Sequence, residues 1–324
     1  MTLGAAGKEQ ARIHNLSTAS GLLTTFQSHG HNGIDTASSY GEGTSETMLG
    51  SLDLQERNLT VSTKYYPTFG RAVPDSWDKT QRHTPEGLRS NLTSSLRALK
   101  MDKIDIWYLH APDRSKSFAE TFEAVDALYH EGLFARLGLS NYQAWEVAQI
   151  NELCRANGWK VPDVYQGVYN ALHRGVEAEL FASLRHYGMA FYAYNPLAGG
   201  YLTDRYTRET KGVDAGSRFD PERFQGRAFR RRYWNDAYFD ALEGLRAVAK
   251  KSDLSEAECA LRWLVHHSKL DGGMGDAIIV GASSVRHLQS NLVDLGKGEL
   301  AEEVVRVLDE GWEGCKGVSS NYWH

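Results

Sequence analysis

Reactive and polar side chains recur in this chain where a β-rich run gives way to a loop. They are Asp35 in GIDTASSY, Tyr40 just beyond it, Lys64 in VSTKYYP and His110 in WYLHAPD, followed by Ser140 and Asn141 in LGLSNY, Gln166 in VYQGVYN and Tyr194 in FYAYNPL. Singly, each has an ordinary structural explanation: a turn aspartate, a loop aromatic, a solvated lysine, a core histidine. Brought together, an Asp, a Tyr and a Lys form a proton-transfer device. Free tyrosine has a pKa of ~10 and must be made more acidic to work near neutrality. A neighbouring ammonium favours the phenolate, and a carboxylate beside the lysine holds it in place and charged. His110 would then direct a carbonyl oxygen towards the phenol.

Such convergence requires elements whose ends share one face. Short β-rich runs alternate with helical periodicity along most of the chain. A helix follows Asn15, and a strand lies near residue 32. A helix is expected over 43–52 with Ser45 as its cap, a strand over 58–66, and a helix over 84–100 with Pro85 in its first turn. The alternation continues with strands at 103–110, 135–140, 163–169 and 189–196, and helices at 117–133, 144–158 and 176–188. Residues 197–234 show no clear period and read as a long loop carrying the basic stretch RFQGRAFRRRYW. Helices at 235–252 and 255–268, a strand at 276–282, and helices at 284–295 and around 299–312 complete the pattern.

Repeated βα units with apolar strands imply a parallel sheet covered by helices, either closed as an eight-stranded barrel or open and doubly wound. The open Rossmann form would be favoured by GxGxxG after an early strand, and that pattern is absent, as are Walker A spacing and Tyr-x-x-x-Lys. In a parallel barrel the C-terminal strand ends form one face, which is where the polar residues fall. The expected fold is therefore an α/β, (β/α)8 TIM barrel over residues 1–324 as a single domain. Only seven strands are legible, and MTLG reads as the end of a truncated first strand, a defect expected to lower stability.

Composition narrows the partners. With 41% hydrophobic and 24% charged residues the chain is an ordinary globular one. A net charge of -5 supplies no basic field for nucleic acid or an anionic membrane. No apolar run approaches a spanning helix and no secretory signal is evident, so the expected location is cytoplasmic. Cys154, Cys259 and Cys315 lie far apart without metal-ligand spacing and are expected to be buried free thiols, with no metal site.

The motifs GIDTASSYGEG, VSTKYYP, YLHAPD, GLSNY and VGASSVRHLQSNL resemble, in order, those of the aldo-keto reductases, and the similarity covers nearly the whole chain. Other stretches, among them AWEVAQINELCRANGW and RRRYWNDAYF, are most similar to the aflatoxin-aldehyde and succinic-semialdehyde reductase branch. The resemblance implies a tetrad of Asp35, Tyr40, Lys64 and His110 that reduces an aldehyde or ketone with NADPH. It places Ser140, Asn141 and Gln166 on the nicotinamide carboxamide and Tyr194 against the ring. Ser283, Arg286, His287 and Asn291 would receive the adenosine phosphate. It also implies a small-molecule carbonyl partner and leaves a homodimer open. The alternative function is a cofactor-binding regulatory subunit with little turnover, like the potassium-channel β subunits. For substrate contacts the candidates are Arg231 and Arg232 of the basic run and His324. The last stands where the nearest branch tends to carry an arginine facing the substrate.

Overall fold

The computed structural model describes residues 1–324. It packs as two compact units: Met1–Gln166, Ala182–Ala190 and Trp323–His324 form the first, Gly167–Phe181 and Phe191–Tyr322 the second. Seven strands follow one another in sequence order: β1 Gly33–Asp35, β2 Thr60–Tyr65, β3 Ile104–Leu109, β4 Phe134–Ser140, β5 Val164–Val168, β6 Ala190–Tyr194 and β7 Ala277–Ile278. They are the parallel strands of the (β/α) barrel fold expected from the sequence. No strand precedes β1. Leu3 and Ile13 form an isolated bridge instead, and Gly4 N–H donates to Ile13 O at 3.1 Å.

In the first unit the registers Ile34 to Val61, Lys64 to Tyr108, Tyr108 to Gly138 and Ser140 to Gln166 are all parallel. Both faces of this sheet are covered, so the strands are nearly continuous apolar runs: Ile104, Ile106, Trp107, Tyr108 and Leu109 of β3 are all buried. The covering helices are α1 Leu16–Ser28, α2 Thr44–Leu49, α3 Pro85–Leu99, α4 Phe118–His130 and α5 Ala144–Asn157. Their starts follow side-chain capping. Asn15, Thr84 and Ser117 accept from backbone N–H groups of the first turn, Pro85 opens α3, and Glu146 closes a capping box with Gln143 in α5. Helix α6, Leu180–Tyr187, follows β5.

The second unit holds most of β6, which continues alongside the end of β5 through Tyr169 N–H to Tyr194 O at 3.2 Å, and β7, which pairs with β6. Around them lie α7 Phe224–Tyr233, α8 Asp236–Lys251, α9 Glu256–His266, α10 Val285–Leu295 and α11 Glu302–Lys316. Three local expectations need correction. The stretch 197–234 is not all loop, because its basic end forms α7. Gly226 inside that helix masks its propensity, yet is required there: a Cβ would lie 1.7 Å from Asp220 O. Ser45 does not cap α2. Gly43 precedes the helix in the left-handed region, and the Ser45 hydroxyl is 3.1 Å from Thr36 Oγ1. The seventh strand is shorter than 276–282, its ladder ending at Ile279 N–H to Ala193 O. The three cysteines are free and buried, and no helix is long and apolar enough to cross a membrane.

Candidate active site

Lys64, next to last in β2, points its ammonium into the first unit with no exposed side-chain surface. Its Nζ donates to Asp35 Oδ2 at 2.5 Å and to Thr36 O at 2.6 Å. The segment after β1 is stitched to the same strand, with Thr36 N–H on Ser62 O and the Ser38 hydroxyl on Lys64 O. That anchoring sets the path leading to Tyr40, which is 9% exposed. Lys64 Nζ lies 5.2 Å from the Tyr40 ring centroid and 5.5 Å from that of Tyr108. Burial lowers the Lys64 pKa, and the Asp35 carboxylate opposes that shift.

His110 follows β3. Its ring stands edge-on to Tyr40, centroids 5.8 Å apart at 75°, while its backbone is tied to Tyr65 O and to the Asn141 side chain. Burial holds its pKa well below the usual imidazole range, helped by Lys64, His324 and Arg71. Its Nδ1 is buried without a hydrogen-bond partner. The four residues picked from the sequence as a tetrad therefore share one site in the first unit. Ser140 and Asn141 lie beside them at the end of β4, where Asn141 Nδ2 donates to Ser140 Oγ at 2.9 Å. Gln166, in β5, donates from Nε2 to Asp35 Oδ1 at 2.9 Å. The hydroxyl and amide at the end of β4 and the amide of Gln166 within β5 are a donor–acceptor set suited to a carboxamide.

Other predicted positions belong to the second unit. Tyr194 ends β6, and Arg232 of α7 is hydrogen-bonded to Tyr194, Tyr233 and Ser320 Oγ, the last at 3.0 Å. Arg231 is exposed on α7. At the start of α10 the cap is Ser284, whose hydroxyl accepts from His287 N–H, while Ser283 Oγ contacts His287 Nδ1 at 3.1 Å. Arg286 is exposed there, and Asn291 is buried one turn further on.

His324 belongs to the first unit, its ring centroid 6.1 Å from that of Tyr66. Tyr66 was missed from the sequence, as were Trp77 and Arg71. Its ring is edge-on to His110 at 5.4 Å and 6.3 Å from Trp77, and the Arg71 guanidinium lies 5.4 Å above it. The available signal was the run of aromatics and arginine directly after the lysine strand, on the face where the polar residues gather. A buried Glu46 was missed too. Thr63 Oγ1 donates to its Oε1 at 2.5 Å, and burial raises its pKa.

The aldo/keto reductase family profile matches residues 1–313. An aldo-keto reductase of Pseudocercospora fijiensis is 47% identical, covering 93% of this chain and 100% of its own length. The aldo-keto reductase pigE of Monascus ruber is 46% identical over 98% of this chain and 93% of its own. The human aflatoxin B1 aldehyde reductase member 4 is 40% identical over 97% of this chain and 95% of its own. With the strand order, the polar strand ends and this similarity along almost the whole length, the chain belongs to the aldo/keto reductase family of oxidoreductases.

Proposed function

We propose that the protein reduces an aldehyde or ketone to an alcohol with NADPH, Tyr40 acting as the proton donor. The observation that carries this reading is the buried Lys64 ammonium, paired with Asp35 and 5.2 Å from the Tyr40 ring centroid, with His110 edge-on to that ring. When bound, NADPH would supply the hydride that the carbonyl carbon accepts, and would be oxidised to NADP⁺. Tyr40 gives its hydroxyl proton to the carbonyl oxygen, and the Lys64 cation stabilises the phenolate that remains. A neutral His110 fits a hydrogen-bonding role that positions the oxygen near Tyr40. Ser140, Asn141 and Gln166 would hold the carboxamide. Binding of the carboxamide by Gln166 requires it to share or release Asp35. In the second unit Ser283 and His287 lie at the start of α10 with Asn291 one turn further on, a set suited to an adenosine phosphate, and the exposed Arg286 supports a 2'-phosphate and hence NADPH over NADH. The human relative named as an aflatoxin B1 aldehyde reductase makes aldehydes the first substrates to try.

The test is steady-state oxidation of NADPH, followed at its absorbance, with a panel including 4-nitrobenzaldehyde. Turnover that depends on both aldehyde and Tyr40 is the expected result. A cofactor that binds and is never consumed would overturn it in favour of a regulatory subunit.

A further inference from the structure

Arg114 lies in the β3–α4 loop, and the reading of the site given above leaves it without a role. Its guanidinium meets Glu146, in the first turn of α5, fork to fork: Nε to Oε1 at 2.8 Å and Nη2 to Oε2 at 3.1 Å. The Glu146 side chain is fully buried, and its Oε2 also accepts the Gln143 N–H at 2.8 Å, so the carboxylate cannot swing. A bidentate pair of this kind fixes the guanidinium plane as well as its place. The remaining Nη1 donates to the main-chain oxygen of His324 at 3.3 Å, and the guanidinium carbon lies 6.0 Å from the Trp323 ring centroid.

The same two-residue segment is held at a second point. His324 N–H donates to Asn141 O at 3.2 Å, and Asn141 Nδ2 in turn donates to His110 O at 2.9 Å. Between these ties the His324 ring sits by Tyr66, which stands edge-on to His110. A short surface segment opens readily unless its anchor is preorganised. Here the anchor is preorganised by a buried carboxylate.

We propose that Arg114, clamped by Glu146, is a positioning residue that latches Trp323–His324 against the ends of β3 and β4, so that His324 walls the carbonyl pocket beside His110 and the latch sets KM. The proposal rests on the carbonyl-reductase reading of the site. Loss of the latch lets the wall open, which weakens substrate binding while leaving Lys64, Tyr40 and His110 in place.

The test compares three variants with the wild type: Arg114→Met combined with Glu146→Gln, removal of residues 323–324, and both together. Changing both members of the pair avoids stranding a buried charge, which could unfold the protein for an unrelated reason. KM for 4-nitrobenzaldehyde is expected to rise about tenfold or more in each, the scale of one charge-assisted hydrogen bond. The single-turnover rate at saturating aldehyde should stay within about threefold, and the combined variant should rise no further than removal of the segment alone. Additive effects, or an unchanged KM in the Arg114/Glu146 variant, would overturn the latch. Amide hydrogen exchange supplies a second readout that needs no activity: the peptide containing His324 should exchange faster in the Arg114/Glu146 variant. Unaltered exchange there defeats the latch. A wild type that consumes no NADPH with any aldehyde defeats the reading of the site instead.

Discussion

Gln166 donates a 2.9 Å hydrogen bond to Asp35, joining the end of β1 to β5 within the first unit. Those strands are four steps apart, roughly 19 Å in a flat sheet, so the contact requires a sheet that curls. It also engages both carboxylate oxygens of Asp35, with Lys64 on one and Gln166 on the other.

Asp35→Asn is therefore expected to strand a buried ammonium. The loss should be roughly 3 kcal/mol, the low end for a broken buried pair because Asp35 keeps some exposure. Adding Lys64→Met should restore part of the stability and none of the activity. Urea melts of the single and double variants decide this, and an unchanged midpoint for Asp35→Asn would contradict it.

Tyr40→Phe keeps the ring and removes the proton. Turnover should fall by ~10²- to 10⁴-fold, the usual contribution of general acid catalysis, with NADPH affinity little changed. A loss of less than about tenfold, with chemistry limiting, would remove Tyr40 as the acid.

Gly138→Ala tests the packing beneath the site. Gly138 in β4 faces Tyr108 in β3, and a Cβ there would lie 2.1 Å from the Tyr108 ring. That ring is fully buried and 5.5 Å from Lys64 Nζ, so it has nowhere to go without disturbing the lysine. A cost of about 1–3 kcal/mol is expected, with activity reduced beyond what the unfolded fraction explains. Thermal melts and specific activity per folded molecule are the measurements.

Stability should fall as the solution is acidified below about pH 6.5. His110 and His173 are both held neutral by burial, His110 well below the ordinary value and His173 down to about 3. The unfolded chain takes up those protons near pH 6.5 and the native one does not, so each histidine removes about 1.4 kcal/mol per pH unit as pH drops. For His173 the loss continues until pH approaches about 3. Denaturant midpoints at pH 7.5, 6.5 and 5.5 measure the slope, and a flat profile would refute the burial argument.

Arg286→Ala addresses the choice of cofactor. If its side chain meets a 2'-phosphate, NADPH affinity should drop roughly tenfold or more, as for one charge-assisted hydrogen bond, while NADH affinity stays put. Titration by fluorescence quenching with both nucleotides checks it; equal losses would assign Arg286 a merely structural part.

The local order of elements was written in the sequence because it depends on short-range causes. Apolar periodicity placed α3, β3, α4 and α5, and Thr84, Pro85 and Ser117 marked where helices begin. The parallel arrangement followed from those alternations, which explains why Asp35, Lys64 and His110 could be picked as neighbours before any distance was known. Helix α7 escaped because Gly226, required by the close approach of Asp220, weakens the local helical signal. Side-chain partnerships escaped for a different reason. Gln166 with Asp35, Arg114 with Glu146, and His324 beside Tyr66 are set by the curl of a sheet and the landing point of a distant segment. No periodicity encodes those, because they depend on which strand ends meet in space, and only tertiary packing decides that.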